Sequence, residues 1–83
     1  MDHSRVTGKQ LAAARTLAGL GQVDVAQAAN ISVPTLKRME GAKGIVPGMA
    51  NNVAAVMRAL EDAGIMFVDS NGNGAGVRFR DPS

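Results

Sequence analysis

The sequence contains no cysteine, no tryptophan and no tyrosine, and it has only two phenylalanines and one histidine among its 83 residues. Without cysteine the chain can form neither disulfides nor thiolate metal sites. One histidine is too few for a metal site, so no metal and no cofactor is predicted. A chain this short forms one small domain with a thin core, built here from Leu, Val, Ile, Met and Ala. A second copy would bury more apolar surface, so the composition favours a homodimer.

The sequence also lacks an apolar run approaching the roughly 20 residues of a membrane span. It has no secretory signal, so the protein is expected to be cytoplasmic. No catalytic constellation is present either. There is no cysteine nucleophile and no histidine with a partner, and the adjacent carboxylates Glu61 and Asp62 face different ways on a helix. We therefore do not expect an enzyme.

Positive charge is concentrated in the first half of the chain, although the formal net charge is only +2. Positions 5–43 contain six Lys or Arg and two acidic residues, which gives a net charge of +4. Positions 60–83 contain two Arg and four acidic residues, which gives a net charge of −2. This distribution indicates an anionic partner for the first half.

The middle of the chain predicts a helix over residues 22–29, a tight turn, and a second helix over residues 33–40. In the turn, Asn30 can adopt the left-handed conformation that ends a helix. Ser32 can cap the next helix by accepting from a free N–H group of its first turn. Pro34 suits that first turn, because its missing N–H costs little there.

The second of these helices has two distinct faces. Leu36 and Met39 are three residues apart and lie on one apolar face, whereas Lys37 and Arg38 lie on the other. Gly41 is expected to end the helix in a left-handed conformation. Cations on the open side of a short helix suit insertion into a DNA groove. The alternative is an ordinary helical hairpin in a small bundle, with both cations solvated.

The remaining helices flank this pair. Residues 1–6 are predicted to be a flexible tail. Thr7 and Gln10 match a capping box at the start of a helix that runs to about residue 19. A fourth helix is predicted over residues 49–63, where apolar residues recur at helical spacing.

The last twenty residues predict a β-hairpin, because residues 65–68 are apolar and residues 77–80 alternate around turn-forming residues. A two-stranded hairpin is marginal on its own, and its exposed edge favours pairing with a second copy. The predicted dimer contacts are Phe67, Val68, Val77 and Phe79. The alternative is a hairpin folded on its own domain.

Residues 7–63 resemble the helix-turn-helix domain of the Cro/phage-repressor, or XRE-type, regulators. The matching features are Arg15, Leu20-Gly21-Gln22, Ala26, Ile31-Ser32, Thr35, Leu36, Glu40-Gly41 and Lys43. The resemblance implies a mainly α fold, namely a four-helix lambda-repressor-like DNA-binding domain with a short C-terminal β-hairpin. In this organisation residues 7–63 bind DNA. Residues 64–83 form an extension of the kind found on many small bacterial proteins of this type, with a dimerisation role.

The resemblance also assigns roles to individual residues. Positions that face bases in relatives match Val33, Pro34 and Arg38. Positions that contact phosphate match Gln22, Thr35 and Lys43. A structural ion pair that joins helix 1 to the end of helix 3 in relatives matches Arg15 and Glu40.

The sequence departs from the family pattern at Val33 and Pro34, where relatives often have polar side chains. These two can contact only a thymine methyl group or shape the surface, so direct readout falls on Lys37 and Arg38, with guanine as the expected base. The loop before helix 4 has few cations. The start of helix 4, including Asn51, is therefore expected to contact phosphate.

Together these features predict a sequence-specific DNA-binding transcriptional regulator that binds double-stranded DNA as a homodimer. Residues 33–40 would lie in the major groove, on an operator with repeated half-sites. The alternative is a protein-interaction module, such as an antitoxin or anti-activator, that keeps the fold and binds another protein through its hairpin. Salt dependence distinguishes them, because DNA binding weakens steeply as salt rises.

Overall fold

The structure is a computed structural model that describes residues 3–70, 72 and 74–81. Within those ranges, a 3₁₀ turn at His3–Arg5 precedes four helices and a two-stranded antiparallel hairpin. The elements are α1 (Gly8–Leu17), α2 (Gln22–Ala29), α3 (Val33–Glu40), α4 (Ala50–Asp62), β1 (Ile65–Val68) and β2 (Gly76–Phe79). The coarse fold class, a small mainly helical domain with a C-terminal hairpin, is confirmed. No helix in these ranges is long and apolar enough to span a membrane.

A capping box fixes the start of α1, as the sequence predicts. The Thr7 hydroxyl accepts from the Gln10 backbone N–H at 3.1 Å, and the Gln10 side-chain oxygen accepts from the Thr7 N–H at 2.9 Å. Two of the free N–H groups at the start of the helix are thereby satisfied. The helix ends at Leu17, two residues earlier than predicted, and Gly19 follows with a positive φ of 75°.

The first residue of α1, Gly8, packs directly against the carboxyl end of α3. A Cβ atom at Gly8 would lie 2.7 Å from the carbonyl oxygens of Met39 and Ala42 and 2.8 Å from that of Glu40. These oxygens belong to the backbone, so only glycine permits the approach. The contact brings the positive end of one helix dipole to the negative end of another.

One apolar core joins the helices and the hairpin. The largest side chains with under 2% exposure are Val6, Leu11, Val25, Leu36, Val56, Met57, Leu60 and Ile65. Val6 also accepts a backbone hydrogen bond from the Val46 N–H at 2.9 Å. The prediction of a flexible tail over residues 1–6 is therefore wrong at Val6, because its side chain completes the core. Met1 and Asp2 lie outside the described residues.

The hairpin packs one of its faces on α1 and α4. Ile65 lies opposite Phe79, and Phe67 lies opposite Val77, so all four share this face. Phe67 is only 6% exposed and belongs to the core of its own chain. Its prediction as a dimer contact is therefore wrong, because its side chain is already covered. Val68 and Val77 are half-buried, and Phe79 is 42% exposed.

Gln10 connects α1 to both strands of the hairpin. It is the one buried polar side chain among the described residues. Its amide nitrogen donates to the carbonyl oxygens of Val68 at 3.3 Å and Gly76 at 3.1 Å. Each strand therefore has a carbonyl group held by the first turn of α1.

Candidate nucleic-acid interface

The helix-turn-helix segment folds as its local residues predict. α2 ends at Asn30, which has φ 57° and ψ 46°, the left-handed conformation expected there. The Ser32 hydroxyl accepts from the Thr35 N–H at 3.2 Å and caps α3, with Pro34 in the first turn. The predicted bounds of both helices match those observed. Gly41 differs from the prediction: its φ is −82°, so the turn after α3 stays right-handed.

α3 has a buried face and an open face. Leu36 and Met39 are 0% and 4% exposed and hold the helix on the core. Pro34, Lys37 and Arg38 are exposed, and we call these three residues the outer face of α3. Val33 and Thr35 are half-buried at its margin. Of the five α3 residues predicted to contact DNA, the structure therefore leaves three in the open and two partly covered.

The cations of this surface, Lys37, Arg38 and Lys43, form no ion pairs in the part of the chain that the structure describes. Arg38 makes only a long contact of 3.4 Å from its guanidinium to the Thr35 hydroxyl. Lys43 lies exposed in the loop after α3. These three cations are therefore available to an anionic partner.

The hydroxyl groups at the start of α3 are used by the cap. Ser32 and Thr35 place their hydroxyl oxygens 2.8 Å apart, within hydrogen-bond distance. Thr35, a predicted phosphate contact, is thus part of a local hydrogen-bonded group. Pro34, which is exposed and apolar, is the side chain of the first turn that stands apart from this group.

The predicted ion pair between Arg15 and Glu40 forms as a fork. Arg15 donates from Nε to Glu40 Oε2 at 2.8 Å and from Nη2 to Oε1 at 3.0 Å. The Arg15 Nη1 also donates to the Leu20 carbonyl at 3.2 Å and so stabilises the turn between α1 and α2. The hydrogen bond to Glu40 raises the pKa of Arg15, burial opposes that shift, and Coulombic attraction adds to it.

Gln22 joins this pair, which sequence reasoning did not foresee. Its amide nitrogen donates to Glu40 Oε1 at 3.2 Å. Gln22 is the first residue of α2, so one carboxylate connects the end of α3 to both α1 and α2. The amide of Gln22 carries two hydrogens, and this bond uses one of them. The predicted phosphate contact therefore doubles as a residue that orients α3.

An apolar groove of about 400 Å³ runs beside Arg38, between α3 and the start of α4. Its lining residues are Thr35, Arg38, Met39, Pro47, Gly48, Met49 and Asn52. Met49 is 66% exposed, and Asn51, the predicted phosphate contact, is exposed in the first turn of α4. The sequence signal that could have indicated this groove is the run of helix-breaking residues before α4, namely Gly44, Pro47 and Gly48.

Comparison with known proteins gives no match. No protein-family model matches the sequence, and no curated protein matches it either.

Proposed function

We propose that this protein is a DNA-binding transcriptional regulator of the Cro/phage-repressor type, which places α3 in the major groove of double-stranded DNA. The supporting observation is the outer face of α3. Lys37 and Arg38 are exposed and form no ion pair with any described residue, while Leu36 and Met39 on the opposite face are buried. A short, firmly packed helix that presents free cations suits the geometry of the groove.

Base readout is divided between the two halves of α3. Arg38 and Lys37 donate hydrogen bonds to the O6 and N7 acceptors of guanine. Pro34 is the exposed apolar residue nearest the start of the helix and contacts a thymine methyl group, with half-buried Val33 beside it. The Ser32 and Thr35 hydroxyls contribute less, because they are bonded to one another.

Phosphate contacts surround the base readers. Lys43 reaches the backbone from the loop after α3, and Asn51 does so from the first turn of α4. Gln22 uses its second amide hydrogen for a phosphate oxygen, while the first holds Glu40. These contacts fix orientation without reading sequence. A homodimer on half-sites one helical turn apart, about 34 Å, adds the second set of contacts that a surface with so few cations requires.

Replacing Arg38 with alanine is expected to weaken binding to the selected operator by about 1–3 kcal/mol and to relax specificity at one base pair. The operator is first obtained by selecting bound DNA from a random pool, and affinity is then measured by gel-shift titration. The matched control is Arg58→Ala, which removes the same charge from an exposed position on α4. Equal affinities for the wild type and the Arg38 variant would contradict the proposal.

Replacing Lys43 with alanine is expected to weaken binding by a similar factor on every DNA sequence, because Lys43 contacts only phosphate. The slope of log affinity against log salt should fall in magnitude by about 1. The measurement is a titration at several salt concentrations on specific and random duplexes. A loss confined to one base pair of the operator would assign Lys43 to base readout instead.

A second candidate function is a protein-interaction module with the same fold. The observation in its favour is the exposure of two large apolar side chains between α3 and α4, Ile45 at 58% and Met49 at 66%. An apolar contact with a protein would be nearly insensitive to salt, whereas DNA binding is steeply sensitive to it. The salt series described for Lys43 separates the two functions.

A further inference from the structure

The second strand of the hairpin has an open edge. The Arg80 N–H donates to the Gly64 carbonyl at 2.8 Å, which fixes the alternation of hydrogen bonds along the hairpin. By that alternation the backbone groups of Val77 and Phe79 point away from β1. Among the described residues, no backbone group pairs with their N–H groups. An unpaired edge of this kind is a template for another strand.

A shallow groove of about 420 Å³ lies beside this edge, between α1 and β2. Its lining residues are Thr7, Lys9, Gln10, Ala13, Ala75, Gly76 and Val77. The small side chains of Ala13 and Ala75 leave space there. Phe79 faces the same side of the sheet as Val77, yet it is 42% exposed, so much of its ring lacks a packing partner.

We propose that a second copy of this chain pairs with β2 along this edge, antiparallel, about a twofold axis at Val77. The two hairpins then form one four-stranded sheet with the two β2 strands at its centre. This inference rests on the homodimer of the proposed function and specifies its interface. The edge of β1 is less suitable, because the Arg5–Asp69 ion pair of 3.1 Å lies at the end of that strand.

Charge selects the register. Residues that point outward must face outward-pointing residues of the other copy. An axis at Gly76 would place most of β2 opposite residues that precede the strand, because β2 begins at Gly76. The twofold axis can therefore lie at Val77 or Phe79, or at Arg78 between a facing Val77 and Phe79. An axis at Arg78 places two copies of this arginine opposite each other. An axis at Phe79 places Arg78 opposite Arg80 of the partner subunit. Like charges directly opposite are destabilising, which leaves the axis at Val77.

The selected register also fills the groove. With the axis at Val77, Arg78 lies opposite Gly76 of the partner subunit, which has no side chain to repel it. Phe79 lies opposite Ala75 of the partner subunit, on the face where Ala75 lines the groove. The half-exposed ring of one copy therefore covers the space beside β2 of the other. Charge and shape, which are independent observations, lead to the same register.

Disulfide trapping tests the register, and the absence of natural cysteine removes any background. Val77→Cys is expected to give a cross-linked dimer under mild oxidation, because directly opposite Cα atoms about 5.5 Å apart suit a disulfide. Gly76→Cys alone should give little cross-linking, because its two copies are offset along the strands. A cross-linked Gly76 variant, or a dimeric Val77 variant that resists oxidation, would overturn the register.

A pair of opposite charges at Gly76 tests the interface without DNA. A Cβ there meets no heavy atom within 4 Å, so either substitution is tolerated by the monomer. Gly76→Glu places a carboxylate opposite Arg78 of the partner subunit and should tighten the dimer at least about twofold, whereas Gly76→Lys should weaken it at least about twofold. Sedimentation equilibrium measures both.

Two results of the sedimentation experiment would overturn the inference. One is a wild-type protein that is monomeric at all concentrations, and the other is a dimer that responds equally to Glu and Lys at position 76. Neither depends on DNA binding. If the protein binds DNA but fails these tests, the proposed function stands and the proposed interface is wrong. If it passes these tests but binds no DNA, the interface stands and the proposed function is wrong.

Discussion

Gly8→Ala is expected to destabilise the fold by about 2–3 kcal/mol, although alanine is normally the better helix former. Helix propensity favours alanine over glycine by at most about 1 kcal/mol. The new methyl group would lie 2.7–2.8 Å from three backbone carbonyl oxygens at the end of α3. Overpacking of this kind typically costs about 1–3 kcal/mol and occasionally more. We expect the upper end here, because the neighbours are backbone atoms and not flexible side chains. The steric term therefore exceeds the propensity term, and the net effect is unfavourable.

The measurement for Gly8→Ala is urea unfolding followed by circular dichroism at a fixed protein concentration. Gly76→Ala is the matched control, because its Cβ meets no heavy atom within 4 Å and its stability should change by no more than about 0.5 kcal/mol. If Gly8→Ala were as stable as the wild type, α1 and α3 could separate freely. The close contact between them would then not be a determinant of the fold.

Arg15→Ala is expected to cost about 3 kcal/mol of unfolding free energy. Removing one partner from a buried ion pair typically costs about 3–5 kcal/mol, because it leaves an uncompensated charge. The Glu40 side chain is only 8% exposed, but that of Arg15 is 20% exposed, so we expect the lower end of this range. The Leu20 carbonyl loses a donor as well. For a domain of this size the melting temperature should fall by roughly 12–24 °C.

A double-mutant cycle separates the pair from its surroundings. The cycle consists of Arg15→Met, Glu40→Met and the double variant. The double variant lacks both charges and should be more stable than Arg15→Met alone, which leaves the Glu40 carboxylate uncompensated. The stability of each variant is measured by thermal unfolding at one protein concentration. Strict additivity of the single effects would contradict the view that these two residues act as one unit.

The helix-turn-helix could be predicted from the sequence because its determinants are local. Asn30 ends one helix, Ser32 caps the next, and Pro34 fits its first turn, so each signal acts within a few residues of its effect. The start of α1 followed for the same reason. Gly41 is the exception, because its conformation is right-handed. The carbonyl groups around it pack against Gly8 of α1, a contact that is distant in sequence.

Contacts between distant residues could not be read from the sequence. Val6 was predicted to lie in a flexible tail, because no feature of the neighbouring sequence indicates that its side chain completes the core. Phe67 was assigned to a dimer for a similar reason, since a strand pattern does not show which face another helix covers. At the candidate site, the spacing of apolar and cationic residues along α3 correctly predicted that Lys37 and Arg38 are exposed. The hydrogen bond from Gln22 to Glu40 required the packed arrangement of three helices.

The buried amide of Gln10 has a practical consequence for the design of a fragment that contains only the helices proposed to bind DNA. Cutting the polypeptide after residue 63 would leave that amide without the Val68 and Gly76 carbonyls and would strip Ile65 and Phe67 from the interior. The hairpin is therefore an integral part of the domain, because it completes both the core and the hydrogen bonds of Gln10. A minimal fragment should include both strands of the hairpin, and an affinity tag should be attached after β2.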